Sequence, residues 1–398
     1  MFEPRSIAST DSENRWLRFV RSDAMTPNTT AESWRIVHSE ASLGWGGQER
    51  RILAEMEVFR STGSQVTLWA PETSQIRKQA NTRGLPWEAL PSGRLQFPWA
   101  VIRMAAFLRR HRVQILNPHS SRDSWIAGLA GRLARVPLII RSRHFDVPLG
   151  NPRVSRVVYC QLADHIITTS PRITQNLREV FGLSADRVST IPTGINLDRF
   201  HPEGPRAQLQ LPESARGLPL VAMVSVFRRA KGHETLIRAA DLLRRSGFLC
   251  HYLLVGEGPM MPLTRQWIGE LGLESSFTIV GERDDIPELL RRIDLLVMPS
   301  LHEGIPQIGL QALACGAPVL ASDVGGLPTI IQDGVTGTLV ASHEPADWAA
   351  SIRKVLSDPA STNQKATRGR AYVVAHHGLA QMADALQKLY QRYLKLGV

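Results

Sequence analysis

The sequence predicts an α/β protein made of two βα domains, each built on a parallel sheet and facing the other across a cleft. The chain has 398 residues, more than one hydrophobic core usually supports. Short apolar runs alternate with segments of helical period, and a stretch rich in Pro, Gly and Asn separates two such series near residue 200. Parallel sheets bind ligands at the carboxyl ends of their strands, so the two domains are expected to share one cleft.

The first series predicts an N-terminal domain over residues 34–195. Its apolar runs are RIVHS, QVTLWA, VQILNPH, PLIIRSRH and HIITTS, and the predicted helices between them cover residues 48–60, 99–110 and 124–133. Several runs are apolar without alternation, as in parallel strands that are covered on both faces. Residues 1–33 are polar and lack a sustained period, which predicts a disordered tail or an over-annotated start.

The second series predicts a C-terminal domain over residues 196–374. Its apolar runs are LPLVAMVSVF, CHYLLVGEG, FTIVGE, LLVMPS, PVLASD and GTLV, and the predicted helices cover residues 233–246, 261–271, 286–292 and 307–315. Apolar residues at helical spacing over residues 371–396 predict one closing helix.

Net charge is concentrated in the first half of the chain. The total is +11, of which residues 1–197 carry +10 and residues 198–398 carry +1. Such a basic surface suits nucleic acid, anionic lipid or a phosphate-bearing acceptor, and a solvated surface without a partner is the alternative. No helix-turn-helix, zinc finger or aromatic-rich single-strand platform is visible, so nucleic acid is not the predicted partner.

The cysteines and the hydropathy pattern indicate a cytoplasmic protein. Three cysteines without a CxxC or Cys/His cluster fit a reducing compartment rather than a disulfide or zinc framework. The longest apolar stretch, residues 218–227, is about half of what a bilayer-spanning helix needs. The start of the chain shows no secretory h-region.

The segment MPSLHEGIPQIGLQALACGAPVLASDVGG, residues 298–326, is the richest in chemistry. It predicts a strand, a loop bearing Glu303, a helix with Pro306 in its first turn and a stop at Gly316. A carboxylate beside a helix N-terminus can bind sugar hydroxyls, and the free N–H groups there attract a phosphate. Gln311 follows Glu303 by eight residues, roughly 12 Å if the whole segment were helical.

A second strand-to-helix junction, residues 224–240, carries Arg228, Arg229 and Lys231. Cations projecting into the cleft could neutralise a diphosphate as charge develops on a leaving group. A basic loop on the domain surface is the alternative.

Near the N-terminus, ASLGWGGQER places Gly46 and Gly47 between the first strand and its helix. Glycines there let the backbone approach a ligand at the helix N-terminus, and a plain tight turn is the alternative. His144 and His119 end two successive strands on the predicted cleft side, with Asp123 close behind His119. Histidines in such positions are catalytic or structural.

Residues 298–326 resemble the signature of retaining glycosyltransferase family 4, in which two glutamates are separated by seven residues. The resemblance implies that Glu303 contacts the transferred sugar. The second position, which contacts the ribose diol, holds Gln311, and a Gln can still donate and accept hydrogen bonds. The family often has Phe-Gly where this chain has Ile305 and Pro306, and Pro306 offers no N–H to the sugar.

The resemblance continues over most of the chain from Trp34. It implies that Lys231 binds the donor diphosphate. The position of the family's usual Arg holds Val226 in this chain, so Arg228 is expected to act as a relocated partner of Lys231. The family's GG-x-E loop matches Gly46, Gly47 and Glu49 and faces donor phosphate and acceptor.

His144 matches a histidine that approaches the donor sugar, and we expect Gly256 and Gly281 to contribute to donor binding. His119 and Asp123 are expected on the acceptor side.

The implied architecture is GT-B, two Rossmann-like domains with a C-terminal helix, within residues 375–398, that crosses back to the first domain. The implied activity is transfer of a hexose-type or N-acetylhexosamine sugar from a nucleotide-sugar donor, with retention of configuration, to a glycan or lipid-linked acceptor in polysaccharide or lipopolysaccharide biosynthesis. No Asp-x-Asp occurs, which agrees with catalysis without a metal or other cofactor.

Other functions remain open at the level of sequence. A nucleotide-sugar 2-epimerase shares the architecture, and a non-enzymatic polyanion-binding protein would exploit the basic half. The segment FPWAVIRMAAFLRRHR, residues 97–112, predicts either a basic amphipathic helix at the inner face of a membrane or an ordinary helix packed on the sheet.

Overall fold

The computed structural model describes residues 33–91, 93, 95–145 and 151–395. Within these residues the chain forms two parallel sheets, one of seven strands and one of six. The predicted tail, residues 1–33, lies outside the described residues except for Ser33. The predicted fold class, two facing Rossmann-like domains, is confirmed.

The first sheet has the strand order β3-β2-β1-β4-β5-β6-β7. Its strands are β1 (Arg35–Ser39), β2 (Gln65–Ala70), β3 (Trp87–Ala89), β4 (Ile115–Pro118), β5 (Leu138–Arg143), β6 (His165–Thr168) and β7 (Val188–Thr190). In the centre of the sheet β1 and β4 are parallel neighbours, and His38 of β1 is paired with Asn117 of β4. The order reverses beside β1, which places a ligand crevice at the carboxyl ends of β1 and β4.

Helices cover both faces of this sheet. They are α1 (Gly47–Ser61), α2 (Gln75–Thr82), α3 (Phe97–Arg110), α4 (Ser121–Ala134), α5 (Pro152–Arg156), which continues into a π-helical turn (Val157–Leu162), and α6 (Pro171–Phe181). The helix α3 buries one apolar face against the sheet and α4. For that face, the prediction that residues 97–112 form a helix packed on the sheet is correct. The sequence pattern did not predict β3, β7, α2, α5 with its π-helical turn, or α6, which are short or lack a long apolar run.

The second sheet has the order β10-β9-β8-β11-β12-β13. Its strands are β8 (Leu220–Val224), β9 (His251–Val255), β10 (Phe277–Ile279), β11 (Leu295–Met298), β12 (Val319–Ser322) and β13 (Thr338–Val340). The helices around it are α7 (His233–Arg245), α8 (Met261–Glu270), α9 (Ile286–Leu290), α10 (Gln307–Ala314), α11 (Pro345–Ser357) and α12 (Pro359–His376).

The last helix, α13 (Leu379–Lys395), returns to the first domain and packs on α1 and β5. Its buried residues Met382, Leu386 and Tyr390 join the same apolar cluster as the inner face of α1. The C-terminal helix predicted to cross back is therefore present. None of the helices in the described part of the chain is both long and apolar enough to span a bilayer.

The single closing helix predicted over residues 371–396 is wrong. Residues up to His376 belong to α12, and the chain is extended at Gly378 before α13 begins. There it pairs with Ile195: the Ile195 N–H donates to the His377 carbonyl over 2.8 Å, and the Leu379 N–H donates to the Ile195 carbonyl over 3.0 Å. The two segments that connect the domains thus run side by side, and that pairing interrupts the helix.

Candidate active site

The two domains meet through the loops at the carboxyl ends of their strands. At the start of α10, the Gln307 side-chain amide donates to the carbonyl of Gly47 over 3.2 Å. The backbone at Gly304 lies so close to the N-terminal domain that an added Cβ would be 3.0 Å from the His144 carbonyl oxygen. The glycine loop, His144 and the Glu303 loop, which are far apart in sequence, therefore line one site.

The charged centre of this site is an ion pair between Lys231 and Glu303. The same carboxylate oxygen of Glu303 accepts a hydrogen bond of 2.9 Å from the Ser300 hydroxyl. The two loops are joined by a backbone hydrogen bond of 2.8 Å from Leu301 to Ala230. The sequence motifs at residues 224–240 and 298–326 therefore form one unit.

Glycines allow the two loops to pack backbone against backbone. Gly232 has a φ of +78°, and an added Cβ would overlap the Pro299 carbonyl. Gly325 has a φ of +58°, and a Cβ there would overlap the Glu303 carbonyl, while Gly326 donates to the Gly304 carbonyl over 3.0 Å. These positions admit only glycine without displacing the Glu303 loop.

Gly256 and Gly281 follow β9 and β10 at the same edge of the second sheet. The Gly256 N–H donates to the Gly281 carbonyl over 2.7 Å, and a Cβ on Gly256 would overlap the Ser225 carbonyl. Both residues have positive φ angles, +127° and +70°. In the structure these two glycines therefore allow the strand-end loops beside Lys231 to pack closely. Contact of the two glycines with the donor stays a prediction.

Arg228 and Gln311 belong to the two segments that carry Lys231 and Glu303. Arg228 immediately precedes the 3₁₀ turn Arg229–Lys231, and its side chain is exposed. Gln311 is half-buried on α10. The prediction that Pro306 stands in the first turn of this helix is wrong, because Pro306 has an extended backbone and α10 begins only at Gln307.

On the N-terminal side, the predicted residues His144 and His119 are in direct contact. The Nδ1 of His119 lies 2.9 Å from the Nε2 of His144, and the Nε2 of His119 lies 3.0 Å from the Nδ1 of His38. Burial lowers the pKa of all three imidazoles, and for His119 and His144 the pKa falls well below its ordinary value. These rings are therefore neutral near pH 7.

Asp123 faces the protein interior. It accepts hydrogen bonds of 2.9 Å from the Ser39 hydroxyl and from the backbone N–H groups of His119 and Ser120, at the start of α4. Burial raises its pKa, although the Arg141 cation opposes the shift. The geometry is that of a helix cap that holds the His119 loop, and an acceptor contact by Asp123 stays a prediction.

The glycine loop is fixed at the N-terminus of α1. Gly46 precedes the helix, and its N–H donates to the Glu49 carboxylate over 2.9 Å. Nearby, Glu40 accepts from the Ser42 N–H over 2.7 Å and from the Gln48 amide. Burial, with a smaller effect of the Asp123 charge, raises the pKa of Glu40 to about 8.

Four residues of this region were not identified from the sequence: His38, Glu40, Arg51 and Glu55. All are at most 1% exposed. Arg51 and Glu55 form an ion pair of 2.7 Å on α1, and Arg51 also donates to the Ile191 carbonyl over 2.9 Å. Two features of the sequence could have indicated these residues. One is the histidine near the end of the apolar run RIVHS, and the other is the pair of charged residues Arg51 and Glu55 on the inner face of α1.

Among the described residues, one cluster contains three side chains of the types that can ligate a metal ion. A ring nitrogen of His38, one of His119 and a carboxylate oxygen of Glu55 lie within 4.8 Å of one another. The chemistry fits a metal poorly, because both nitrogens of His119 already face histidine partners and Glu55 is paired with Arg51.

Comparison with known sequences identifies family models on both halves of the chain. Residues 45–199 match the model described as "Glycosyltransferase Family 4", and residues 209–372 match "Glycosyl transferases group 1". The chain is 31% identical to a D-inositol 3-phosphate glycosyltransferase of Nocardia farcinica, in an alignment that covers 78% of this chain and 73% of the relative.

Comparison with solved structures gives the same fold. A glycosyltransferase from Rickettsia africae superposes with a TM-score of 0.79 at 19% identity, covering 91% of this chain and 99% of that one. Anabaena Alr3699/HepE in complex with UDP-glucose superposes with a TM-score of 0.77 at 18% identity, covering 90% of this chain and all of the other. At these identities the likeness concerns the fold.

Proposed function

The chain belongs to glycosyltransferase family 4, and on that premise we propose that it transfers a hexose-type or N-acetylhexosamine sugar from a nucleoside-diphosphate-sugar to an acceptor hydroxyl, with retention of configuration. The observation that carries the proposal is the Lys231–Glu303 pair, which is held at the strand ends of the second sheet, on a loop that packs against the His144 backbone of the first domain.

In this proposal the pair separates when the donor binds. Lys231 turns to the diphosphate and Glu303 turns to the hydroxyl groups of the sugar. Each side chain thus replaces its ion-pair partner with a polar group of the donor. Arg228 and the first N–H groups of α10 add positive potential around the phosphates. Gln311, farther along α10, takes the ribose diol, and Gly256, Gly281, Gly46 and Gly47 let backbone approach the donor.

The chemistry needs no protein nucleophile. The acceptor oxygen forms its bond to the anomeric carbon on the face from which the diphosphate leaves, and the acceptor proton passes to a phosphate oxygen of the leaving group. Lys231 stabilises the charge that develops there, and the loops orient the two substrates. We propose that these cations take the place of a metal ion.

We propose an acceptor that carries phosphate, because the first half of the chain has a net charge of +10. A lipid-linked or glycan acceptor in polysaccharide or lipopolysaccharide biosynthesis is one form. A phosphorylated polyol is the second, favoured by the relatives named D-inositol 3-phosphate glycosyltransferase. His119 and Asp123, both buried, would support the acceptor side from beneath its surface.

We also propose peripheral contact with an anionic membrane at its cytoplasmic face. At and beside the start of α3 the side chains of Leu95, Trp99 and Ile102 are 97%, 55% and 64% exposed, and arginines follow at the end of the helix. Apolar side chains combined with cations suit a lipid headgroup region. Free Cys160, Cys250 and Cys315 fit the reducing compartment.

Binding to vesicles of anionic phospholipid tests the membrane proposal. The double variant Trp99→Ser/Ile102→Ser should bind at least about tenfold more weakly, because burying two apolar side chains is worth a few kcal/mol. The control Leu249→Ser changes an exposed leucine of the second domain and should bind as the wild type does. Equal binding by the double variant would exclude this surface.

The central experiment screens UDP-, GDP-, ADP- and CMP-sugars by thermal shift and then offers the stabilising donor with each acceptor class. We expect one nucleotide class to raise the melting temperature and NMR of the product to show the donor's anomeric configuration. Conversion of the donor to its 2-epimer without an acceptor would identify an epimerase instead. Binding of nucleic acid that survives physiological salt, with no donor binding, would favour a polyanion-binding protein.

A further inference from the structure

Three histidines form a continuous hydrogen-bonded chain beneath the site. They stand at the carboxyl ends of the neighbouring strands β1, β4 and β5, in the order His38, His119 and His144. The His38 and His119 rings stack with centroids 5.3 Å apart, and the His119 and His144 rings with centroids 5.1 Å apart. The nitrogens that face each other are 3.0 Å and 2.9 Å apart.

The hydrogen bonds that link the three histidines must all run in the same direction. The three residues are 0%, 2% and 6% exposed, and burial keeps the rings neutral. A neutral imidazole has one N–H donor and one acceptor nitrogen. If His38 donates to His119, then His119 must donate to His144, and if His144 donates to His119, then His119 must donate to His38.

Glu55 decides between the two directions. Its Oε1 is bound to Arg51, whereas its Oε2 and the Nε2 of His38 are both buried and lack a hydrogen-bond partner among the described residues. A carboxylate oxygen of Glu55 lies within 4.8 Å of a ring nitrogen of His38. Because the Nδ1 of His38 already faces His119, Nε2 is the nitrogen left to meet Oε2, through a side-chain rotation or one bridging water. An ionised carboxylate only accepts, so the His38 nitrogen that faces it must carry the proton.

We propose that Glu55 fixes His38, His119 and His144 in the Nε2–H tautomer, so that His144 offers an unprotonated Nδ1 to a hydroxyl group of the donor sugar. Glu55, His38 and His119 are then positioning residues that act through His144. The contact of His144 with the sugar rests on the proposed function, but the tautomers do not.

The surroundings keep the histidines neutral and leave Glu55 as the carboxylate available to them. Arg51 of α1 and Arg141 of β5 are the cations near the histidines, and both oppose protonation of His119 and His144. Asp123 of α4 is engaged by Ser39, Ser120 and the His119 N–H. The hydroxyl of Tyr390 on α13 is also buried without a partner among the described residues, and a carboxylate oxygen can accept from it as well as from His38.

Nitrogen-15 NMR of the full-length wild-type protein, labelled at histidine, tests the tautomers without a variant. Signals are assigned by loss in the single variants His38→Gln, His119→Gln and His144→Gln. We expect all three rings to carry the proton on Nε2 at pH 7. A proton on Nδ1 of any of the three, or a stoichiometric metal ion found in the purified protein at this cluster, would overturn the proposal.

Two variants test the role of Glu55 and of the chain. Glu55→Gln offers an amide that donates as well as accepts, so we expect mixed tautomers of His38 and His144. The matched control is Glu57→Gln on the same helix, where the carboxylate pairs with Arg83 over 3.4 Å, and it should leave the tautomers and turnover unchanged. Wild-type tautomers in Glu55→Gln would contradict its role.

His119→Phe keeps a ring of similar size but interrupts the chain. We expect kcat to fall about tenfold, with the donor KM within about twofold, because His144 loses the acceptor that orients it. Equal kcat would exclude a catalytic use of the chain. If no donor is transferred by the wild type, the proposed function fails, whereas the NMR result on the tautomers still stands.

Discussion

The two edges that face each other across the site handle charge in opposite ways. On the C-terminal edge Lys231 and Glu303 form an ion pair, 26% and 10% exposed, on loops that glycines hold backbone to backbone. On the N-terminal edge the histidines are buried and neutral, and burial raises the carboxyl pKa values of Glu40 and Asp123. One edge is built to meet a charged group, and the other is built to present neutral donors and acceptors in fixed directions.

The difference matches the two halves of a glycosyl transfer. A diphosphate leaving group gains charge during the reaction and needs cations that are already in place. The sugar and acceptor hydroxyls are neutral and need orientation, which rigid, buried hydrogen-bond chains provide. Variants that change only one edge therefore test this division of roles.

Removing a charge from the C-terminal edge should have the largest effect. We expect Lys231→Ala and Glu303→Ala each to lower kcat/KM about 100- to 1000-fold, as loss of a preorganised electrostatic contact does, with the fold intact. Steady-state kinetics with the identified donor, together with circular dichroism, provide the measurement.

The controls for this prediction lie on the same domain. Lys354→Ala and Glu270→Ala remove exposed charges outside the two site loops and should retain wild-type rates. Transfer at the wild-type rate by both site variants would show that the ion pair is structural and would remove the contrast between the edges.

The backbone of the C-terminal edge gives the next largest effect. A Cβ at Gly325 would collide with the Glu303 carbonyl, so Gly325→Ala should displace the Glu303 loop and cost about 2–4 kcal/mol of stability, with at least tenfold lower turnover. The matched control is Gly334→Ala, where φ is also positive, +70°, but an added Cβ meets no atom within 4 Å in the described structure. That control should lose only about 1 kcal/mol, measured by denaturant unfolding.

Sequence reasoning identified the C-terminal edge more completely than the N-terminal one. Lys231 and Glu303 stand in contiguous motifs whose glycines and helix start can be recognised within about 30 residues. The histidine chain joins residues 38, 119 and 144 with Glu55, and no local pattern relates them before the sheet order is known. The pairing of Gly378 with Ile195 was missed for the same reason, since helical periodicity contains no information about a distant strand.

The neutral state of Glu40 on the N-terminal edge can be tested through pH. The pKa of Glu40 is raised to about 8, so the folded protein holds a proton that the unfolded chain releases near pH 4.5. This group therefore stabilises the fold at low pH, and its contribution is lost as the pH rises between about 4.5 and 8. We expect the stability of Glu40→Gln relative to wild type to increase by about 2 kcal/mol from pH 5 to pH 7.

Urea unfolding at several pH values measures this difference. The histidines, whose pKa values are lowered, act in the opposite direction below about pH 6.5, but they are common to both proteins and cancel in the comparison. Glu72→Gln, at an exposed position, should show no pH-dependent difference. A constant difference for Glu40→Gln would mean that Glu40 is ionised in the fold, and the contrast between its buried carboxyl group and the Glu303 carboxylate would then be lost.

The smallest effect is expected at Gln311, where this chain departs from the glutamate of its family. The residue is half-buried on α10, and in the proposed function it meets the neutral ribose diol. Charged hydrogen bonds exceed neutral ones by about 1 kcal/mol, so Gln311→Glu should lower the donor KM roughly three- to fivefold with little change in kcat. Gln364→Glu, exposed on α12, serves as the control. A large fall in kcat would instead place position 311 against the reacting phosphate, and the charged edge would extend farther along α10 than the ion pair indicates.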